Sequence, residues 1–509
     1  VTDMAQSRFG RRKYSHSAAP KTPAAIRSAQ SRAYQGLTTS FAQWWLVICL
    51  TLLSMLAMID KNVIALMVLP IQQDLGISRT EIGLAIGAAF AIGNLGFGAA
   101  AGWMADRFNR RAVIAVAVII WSAMAASCGL AVGFATLFVA RIGVGVSESL
   151  IPPSAYSLIY DGVAEERRGR AFGLYAMSGL LGTGLAFLLG GVLMQLISNG
   201  LLADVPLLAA RAPWSSALVL SGLLGLPLVL LLASFAEPAR LGQGPARGTT
   251  YADVFRICRT ERAIFLPLAL FSITQAMLAQ SLQTWTPAIV ALRFQMSPAQ
   301  IGPALGLLLM VIGPTGLSFA GFAMDRFERR QVPGAAAVAV LFAILLLAVV
   351  PFHPLARTPL QFWVLQGVIL LAISTYLAVT ATIVAQIAPS QSIGKLMALF
   401  LVGQGLLGAG LAPGLTGFVS DHLFAGAAMP LAVGMSVVHA VLALASLASA
   451  VVLFVRCRAR RRYMTCDARP ASRPILNVFT VLPDASEPLS SAISCPTPTR
   501  STQSYFLKR

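Results

Sequence analysis

The sequence predicts an all-α integral membrane protein: twelve transmembrane helices in two six-helix halves, with disordered tails at both ends. Three observations predict it. The 509-residue chain is 57% hydrophobic and 11% charged, against ~25% charged in a soluble domain. Its apolar residues fall into windows of the roughly 20 residues that a helix needs to cross a bilayer core. One decapeptide also occurs twice, as GWMADRFNRR at 102–111 and GFAMDRFERR at 321–330. That separation is too long for a solenoid or propeller repeat and marks a duplicated unit.

The apolar windows place spans 1 to 6 near 44–70, 81–103, 112–133, 135–160, 171–194 and 214–235. Spans 7 to 12 follow near 263–291, 300–323, 333–352, 360–388, 393–419 and 430–455. The domains are therefore a basic tail at 1–43, a six-helix half at 44–235, a cytoplasmic linker at 236–262, a second half at 263–455 and a basic tail at 456–509. Both tails are polar and rich in Arg, Ser, Thr and Pro, a composition that cannot bury a core and reads as disordered. The cluster Arg458, Arg460, Arg461 and Arg462 reads as a topology-setting flank; contact with anionic lipid headgroups is the alternative. Each decapeptide falls between the second and third span of its half. A second echo supports duplication: Gly182, Gly184 and Gly191 of span 5 correspond to Gly408, Gly410 and Gly417 of span 11.

Net charge is +19. The arginines sit at the ends of apolar runs and not on one compact face, which excludes nucleic acid as the partner. Of the 38 Lys and Arg, only Arg79, Arg211, Arg293 and Arg357 fall in loops on the side opposite the termini. The positive-inside rule then puts both termini and the linker in the cytoplasm. The first apolar run starts late and is long enough to span, so no cleavable signal peptide is read. Arg far outnumbers Lys, which points to a GC-rich genome and, from that, to a bacterial inner membrane. The six cysteines show no ligand-like spacing. The four histidines, His16, His353, His422 and His439, form no metal motif, and neither a nucleophile elbow nor a phosphate-cradling Gly-Lys loop is present. An enzyme, a bound metal, a cofactor and ATP hydrolysis are excluded on those grounds.

Charges well inside a span are costly and mark function. There are four: Asp60 and Lys61 in span 1, Arg141 and Glu148 in span 4. At 1.5 Å per residue, Asp60 lies roughly 15 Å from the outer end of its span, Arg141 roughly 9 Å and Glu148 roughly 20 Å. Arg141 and Glu148 share a helix face. If Asp60 meets that face, the three form one buried cluster. The alternatives are a structural ion pair and a proton or ion relay; three charges at matched depth favour the relay. The second half has no such acid. Its span 7 offers Gln275, Gln280, Gln283 and Trp285, and span 10 offers Thr375, Tyr376, Thr380 and Thr382. These fit cavity lining and interhelical packing equally well. Pro152-Pro153 interrupts span 4 next to Glu148 and allows a bend. Stripes at Gly182, Ala186 and Gly190, at Gly83 and Gly87, and at Gly410 and Gly414 suit close helix approach.

Twelve spans with G-x-x-x-D-R-x-x-R-R after spans 2 and 8 resemble the major facilitator superfamily over about residues 44–455. The superfamily's usual glycine after Asp-Arg-x is replaced by Asn109 and Glu328. The resemblance implies alternating access and a cytoplasmic latch made of Gly102, Asp106, Arg107, Arg110, Arg111 and Gly321, Asp325, Arg326, Arg329, Arg330. Asp106 and Asp325 would face helix N-termini of the opposite half, where unpaired N–H groups favour anions. The arginines would pair with Asp161, Glu165, Glu166 or lipid phosphate.

The stretches IDKNVIALMVLPIQQDLGIS, ARIGVGVSESLIPPSAYSLIYD and RRGRAFGLYAMSGLLGTG narrow the resemblance to the spinster-like branch. That branch carries Asp-Arg in span 1, where this chain has Asp60-Lys61, and Arg and Glu seven apart in span 4. Eukaryotic members move lysophospholipids or sphingoid phosphates with proton coupling. The expectation is thus a monomeric secondary transporter for a lysolipid-like or anionic solute, with protons and membrane lipids as its other partners. The alternatives are drug or metabolite efflux by proton antiport, weakened by the lack of a Gly-Pro signature in span 5, and a transport-silent receptor.

Overall fold

The computed structural model describes residues 39–202, 204, 205, 208, 210–240 and 251–467. Among these every regular element is helical. Twelve helices are long and apolar enough to cross a membrane: Ser40–Leu75, Arg79–Arg107, Arg110–Gly129, Phe134–Gly162, Glu165–Ser198 and Pro213–Ala233, then Arg262–Phe294, Pro298–Arg329, Gly334–Leu355, Pro359–Ile387, Ile393–Leu423 and Pro430–Tyr463. These are spans 1 to 12. Their starts carry local signals. Thr39, Asn109 and Thr358 cap backbone N–H groups, Ser78 and Glu81 form a capping box, and Pro213, Pro298 and Pro359 occupy first turns.

The helices outrun their apolar windows. Span 1 begins at Ser40 and continues to Leu75. The last helix runs to Asp467, twelve residues into the stretch the sequence assigns to a tail. There Arg460 pairs with Glu261 at 2.6 Å and Arg461 with Glu328 at 2.5 Å. These two arginines are therefore engaged by Glu261 of the linker and Glu328 of span 8. The linker contains a helix, Tyr251–Thr260. The rest of both tails, and residues 241–250, lie outside the described residues.

Twelve crossings place Thr39, the linker and Asp467 at one end of the bundle, the terminal end; the other is the far end. The glycine echo is an echo of packing. Gly182 meets Met55 and Met58 of span 1, as Gly408 meets Ala276 of span 7. Gly184 and Gly191 meet span 8, as Gly410 and Gly417 meet span 2. Spans 5 and 11, 1 and 7, and 8 and 2 are thus equivalent pairs in the two halves.

The halves touch along two seams that splay apart toward the terminal end. Along spans 2 and 11, a Cβ on Gly417 would stand 2.3 Å from Arg79 O, and one on Gly83 or Gly87 2.5 Å from Pro413 O or Ala409 O. Further on, Gly410 would meet Ala91 at 3.1 Å and Gly405 would meet Leu95 at 3.6 Å, while Gly98 and Gly102 face open space. Spans 5 and 8 repeat this: Gly302 would meet Phe187 O at 2.3 Å, Gly313 would meet Leu180 at 3.7 Å, and Gly173 and Gly321 meet nothing. Only a residue without a Cβ permits such backbone contact. The far end is closed and the terminal end open. The hydrophobic core follows the same geometry: the first half's core continues through Trp285, Ile289, Ile301 and Leu305, while the inner part of the second half packs separately.

Several spans are not uniform α-helix. Span 1 tightens to a 3-10 turn at Ile64–Met67, and span 4 breaks at Leu150 with the two prolines opening its second segment. Spans 2 and 11 widen to π-helix at Ala85–Ala89 and Gln404–Leu411, in the stretches that face each other. Such irregular turns are common where helices serve function.

Candidate functional site

Asp60, Lys61 and Asn62 sit at the end of the α-helical part of span 1, immediately before its 3-10 turn. Because span 1 ends at Leu75, Asp60 is ~22 Å from the far end, against ~21 Å for Glu148 and ~10 Å for Arg141. Asp60 is therefore level with Glu148, and not between Glu148 and Arg141 as the shorter window implied. Asp60, Arg141 and Glu148 are all buried. They do not close into one ion-paired cluster. None of the four charges makes a direct ion pair with another.

The charges sort by sign. The Arg141 guanidinium reaches over the Phe90 ring at 5.7 Å, and its Nη2 approaches Lys61 O at 3.5 Å. The Lys61 ammonium stands 4.3 Å from the centre of the same ring. A cation over an aromatic face is stabilised by the ring quadrupole. Asp60 turns the other way, toward Trp121 of span 3 and Ser221 of span 6. Ser221 gives its own proton to Leu218 O, and neither Asp60 oxygen finds a hydrogen bond. The Oε1 of Glu148 is also without a partner.

Between the halves lies a cavity of about 20 Å³ lined by Lys61, Asn62, Phe90, Arg141, Gln280, Gln283 and Thr284, with Ala65, Ile86 and Ala409. That is room for about one water. Both cations line it and neither acid does. Gln283 Nε2 donates to Asn62 Oδ1 at 2.7 Å, a bond that joins the two halves across the cavity. Asn62 is held for this by its Nδ2, which donates to Met58 O at 2.7 Å. Sequence reasoning missed Asn62, Phe90 and Thr284. Asn62 directly follows Asp60-Lys61, and adjacency was the signal available.

The second-half candidates divide. Gln280 and Gln283 line the cavity. Gln275 is buried against Ser446 of span 12, and Trp285 donates to Pro413 O of span 11. Thr375 and Thr380 return their hydroxyls to their own helix, and Tyr376 packs on the apolar core of its half. The physical reason is rotation about the helix axis. Gln275 lies on the face of span 7 turned toward span 12 of its own half, and Trp285 on the face turned toward span 11 and the first half's core.

The duplicated decapeptide folds in two different ways. In the first copy span 2 ends at Arg107, and Asn109 caps span 3 with φ −61, so no glycine is needed there. Arg110 becomes the first residue of span 3 and is fully buried. It donates to Glu237 at 3.0 Å, Ser157 at 2.9 Å and Pro238 O at 2.7 Å, and pairs with Asp161. Arg240 of the linker donates to Ala105 O and Phe108 O, closing the end of span 2. Arg107 lies over Trp103, and Arg111 over Phe235.

In the second copy span 8 runs through to Arg329. Glu328 accepts from Gly334 N–H at 2.8 Å and holds Arg461, while Asp325, Arg326, Arg329 and Arg330 are exposed. The expected latch is therefore not closed here. Gly102 and Gly321 face open space, and the Asp106 and Asp325 carboxylates meet no helix N-terminus of the opposite half, because the halves stand apart at this end. Of the three acids expected to receive the arginines, Asp161 does so; Glu165 and Glu166 are exposed.

Two helical halves joined at one end, splayed at the other and enclosing a polar cavity at mid-depth define a membrane transporter. The family model of the Major Facilitator Superfamily matches residues 50–351, and the chain belongs to that superfamily. Within it the chain is similar to spinster proteins. It is 23% identical to Protein spinster of Drosophila melanogaster over 317 residues, 60% of this chain and 50% of the fly protein, so it spans about half of that relative's length. It is 26% identical to an MFS-type efflux pump of Mycolicibacterium smegmatis over 387 residues, 75% of this chain and 85% of that protein. Among solved structures, a bacterial homolog of the human lysosomal transporter Spinster, in an inward-facing conformation, superposes with a TM-score of 0.68. It is 24% identical and covers 86% of this chain and 100% of its own; that likeness shows the fold. The chain is a multi-pass membrane transporter and not an enzyme.

Proposed function

We propose that the chain is a monomeric, proton-coupled secondary transporter for an anionic or amphiphilic organic solute. In this reading it works by alternating access in a bacterial inner membrane with both termini cytoplasmic. The observation that carries the substrate class is the sorting of charge: Lys61 and Arg141 line the cavity, whereas Asp60 and Glu148 stand behind it. An anion entering from the open end meets two cations and the amides of Asn62, Gln280 and Gln283, donors suited to a carboxylate or phosphate head.

Coupling follows from the same arrangement. A carboxylate's affinity for protons depends on its cationic neighbours. An anion that draws Lys61 and Arg141 toward itself withdraws them from Glu148, which then takes up a proton more readily. Substrate and proton occupancy are linked without touching. The concentration of Arg at the terminal end supports a cytoplasmic assignment of that end, and hence an inward-open state.

The test is uptake into proteoliposomes with and without an imposed pH gradient, using a lysophosphatidate and a small organic anion against neutral and cationic analogues. Anions should be moved in preference, and Glu148→Gln and Asp60→Asn should each lose gradient-driven accumulation while keeping downhill exchange. Arg141→Ala should lose both. Accumulation by both acid variants would remove proton coupling from this site. A preference for cations would remove the anion assignment. A gradient that drives the anion out, and not in, would favour proton antiport, with export as the direction that the name of the mycobacterial efflux relative carries.

A further inference from the structure

Among the described residues the second half carries no acid deep within a span, yet it buries two histidines that the coupling scheme above does not use. His439 of span 12 and His353 at the far end of span 9 are both fully buried. His439 Nε2 lies 2.8 Å from Ser281 Oγ of span 7, and Ser281 Oγ lies 2.7 Å from Thr416 Oγ1 of span 11. The line ends on span 11 next to the far-end seam, where Thr416 Oγ1 also donates to Ala412 O of its own helix at 3.0 Å. Thr416 sits between Pro413, whose carbonyl receives Trp285 Nε1, and Gly417, which lies against the Arg79 carbonyl of the opposite half.

The turn that carries His353 packs against span 12, the helix of His439, and the polar groups there are unpaired. His439 Nδ1, both ring nitrogens of His353 and Gln366 Oε1 lack hydrogen-bond partners, although Gln366 of span 10 stands beside His353. Buried polar atoms are almost always satisfied, and those that are not call for an explanation.

We propose that His439 and His353 form a second proton-binding site, confined to the C-terminal half, whose protonation is transmitted through Ser281 and Thr416 to the far-end contact between spans 11 and 2. The groups facing the pair are few. The Phe362 ring of span 10 lies tilted against His353, with ring centres 4.1 Å apart. Arg293 of span 7 donates to Leu355 O at 3.0 Å, two residues from His353. On the last turn of span 11, Asp421 is engaged by Arg79 and Thr80, and His422 stacks on Phe418. No free carboxylate faces either ring among the described residues. A proton taken up here adds a charge without a counter-charge, and that cost falls when the far end opens to water. Proton uptake and far-end opening are then linked, and acid favours opening.

The inference rests on the far end being a gate, but not on Asp60 or Glu148. Its test is therefore made in the Asp60→Asn/Glu148→Gln background, with the full chain in nanodiscs and spin labels on the far ends of spans 2 and 11. The open fraction should still rise as pH falls, by up to tenfold per pH unit for one linked proton. Adding His353→Gln and His439→Gln should abolish that response. Ser281→Ala, which keeps both rings, should weaken it in protein that still folds. A second readout needs no histidine variant: the pH midpoint of His439 ring hydrogen exchange, followed by mass spectrometry, should differ between protein cross-linked shut across spans 2 and 11 and unlocked protein. A background variant without a pH response overturns the proposal. So does a response that survives loss of both histidines. If the histidine variants do not fold, an unaltered response in Ser281→Ala together with an unmoved His439 midpoint overturns it.

Discussion

Asp421→Asn should release the far end. Asp421 sits on the last turn of span 11 and accepts from Arg79 Nη1 at 3.0 Å, Thr80 N–H at 2.8 Å and Thr80 Oγ1 at 2.9 Å, all in the opposite half. The carboxylate thereby caps the start of span 2 as well as pairing with its first residue. These bonds exist only while the far end is shut, so their loss acts on the conformational equilibrium and not on folding within either half. A hydrogen bond to a charged group contributes about 1.5–3 kcal/mol. The Arg79 side chain is 31% exposed and Asp421 15%, so the ion-pair part is discounted toward the value of a surface pair. Asparagine keeps one acceptor for Thr80. A net loss of about 2 kcal/mol remains, a shift of about thirtyfold toward far-end opening. Spin-label distances between the far ends of spans 2 and 11 measure it directly. Glu81→Gln is the control, because Glu81 pairs only with Ser78 of its own half. An unchanged distance distribution in Asp421→Asn, or an equal shift in Glu81→Gln, would refute the assignment of these bonds as the far-end lock.

Two further predictions separate the seams and the duplicated loops. Gly417→Ala places a Cβ 2.3 Å from the Arg79 carbonyl and should hold the far end ajar and abolish transport. Gly102→Ala, which meets nothing in this state, should leave the far-end distances unchanged and tax only the closure of the terminal end. Arg110→Ala strands Asp161 and Glu237 and should cost about 3–5 kcal/mol of stability, read as a fall in melting temperature. Arg329→Ala, at the matching position of the second copy but exposed, should leave melting unchanged; equal losses would mean that the two loops do the same work.

The sequence by itself determined the number of spans, the division into halves, the paired glycines and the four membrane-embedded charges. Each follows from a local cost: an apolar run of bilayer length, a missing Cβ, an ion in hydrocarbon. Tertiary structure decided what those residues do for one another. Asp60 proved level with Glu148 because span 1 continues past Pro70 as helix. The same charges separated by sign because Phe90 offers its ring to Lys61 and Arg141 while Asp60 turns toward Trp121 and Ser221. Gln283 reaches Asn62 and Gln275 does not, a difference of helix rotation that composition cannot express. The two copies of one decapeptide took different ends, one stopping at Arg107 and one running to Arg329, because Asn109 can cap the next helix and Glu328 is drawn to Gly334 and Arg461. Which end of the molecule is open was not in the sequence at all. It is a property of two seams whose contacts tighten residue by residue toward the far end, and the same chain must be able to reverse them.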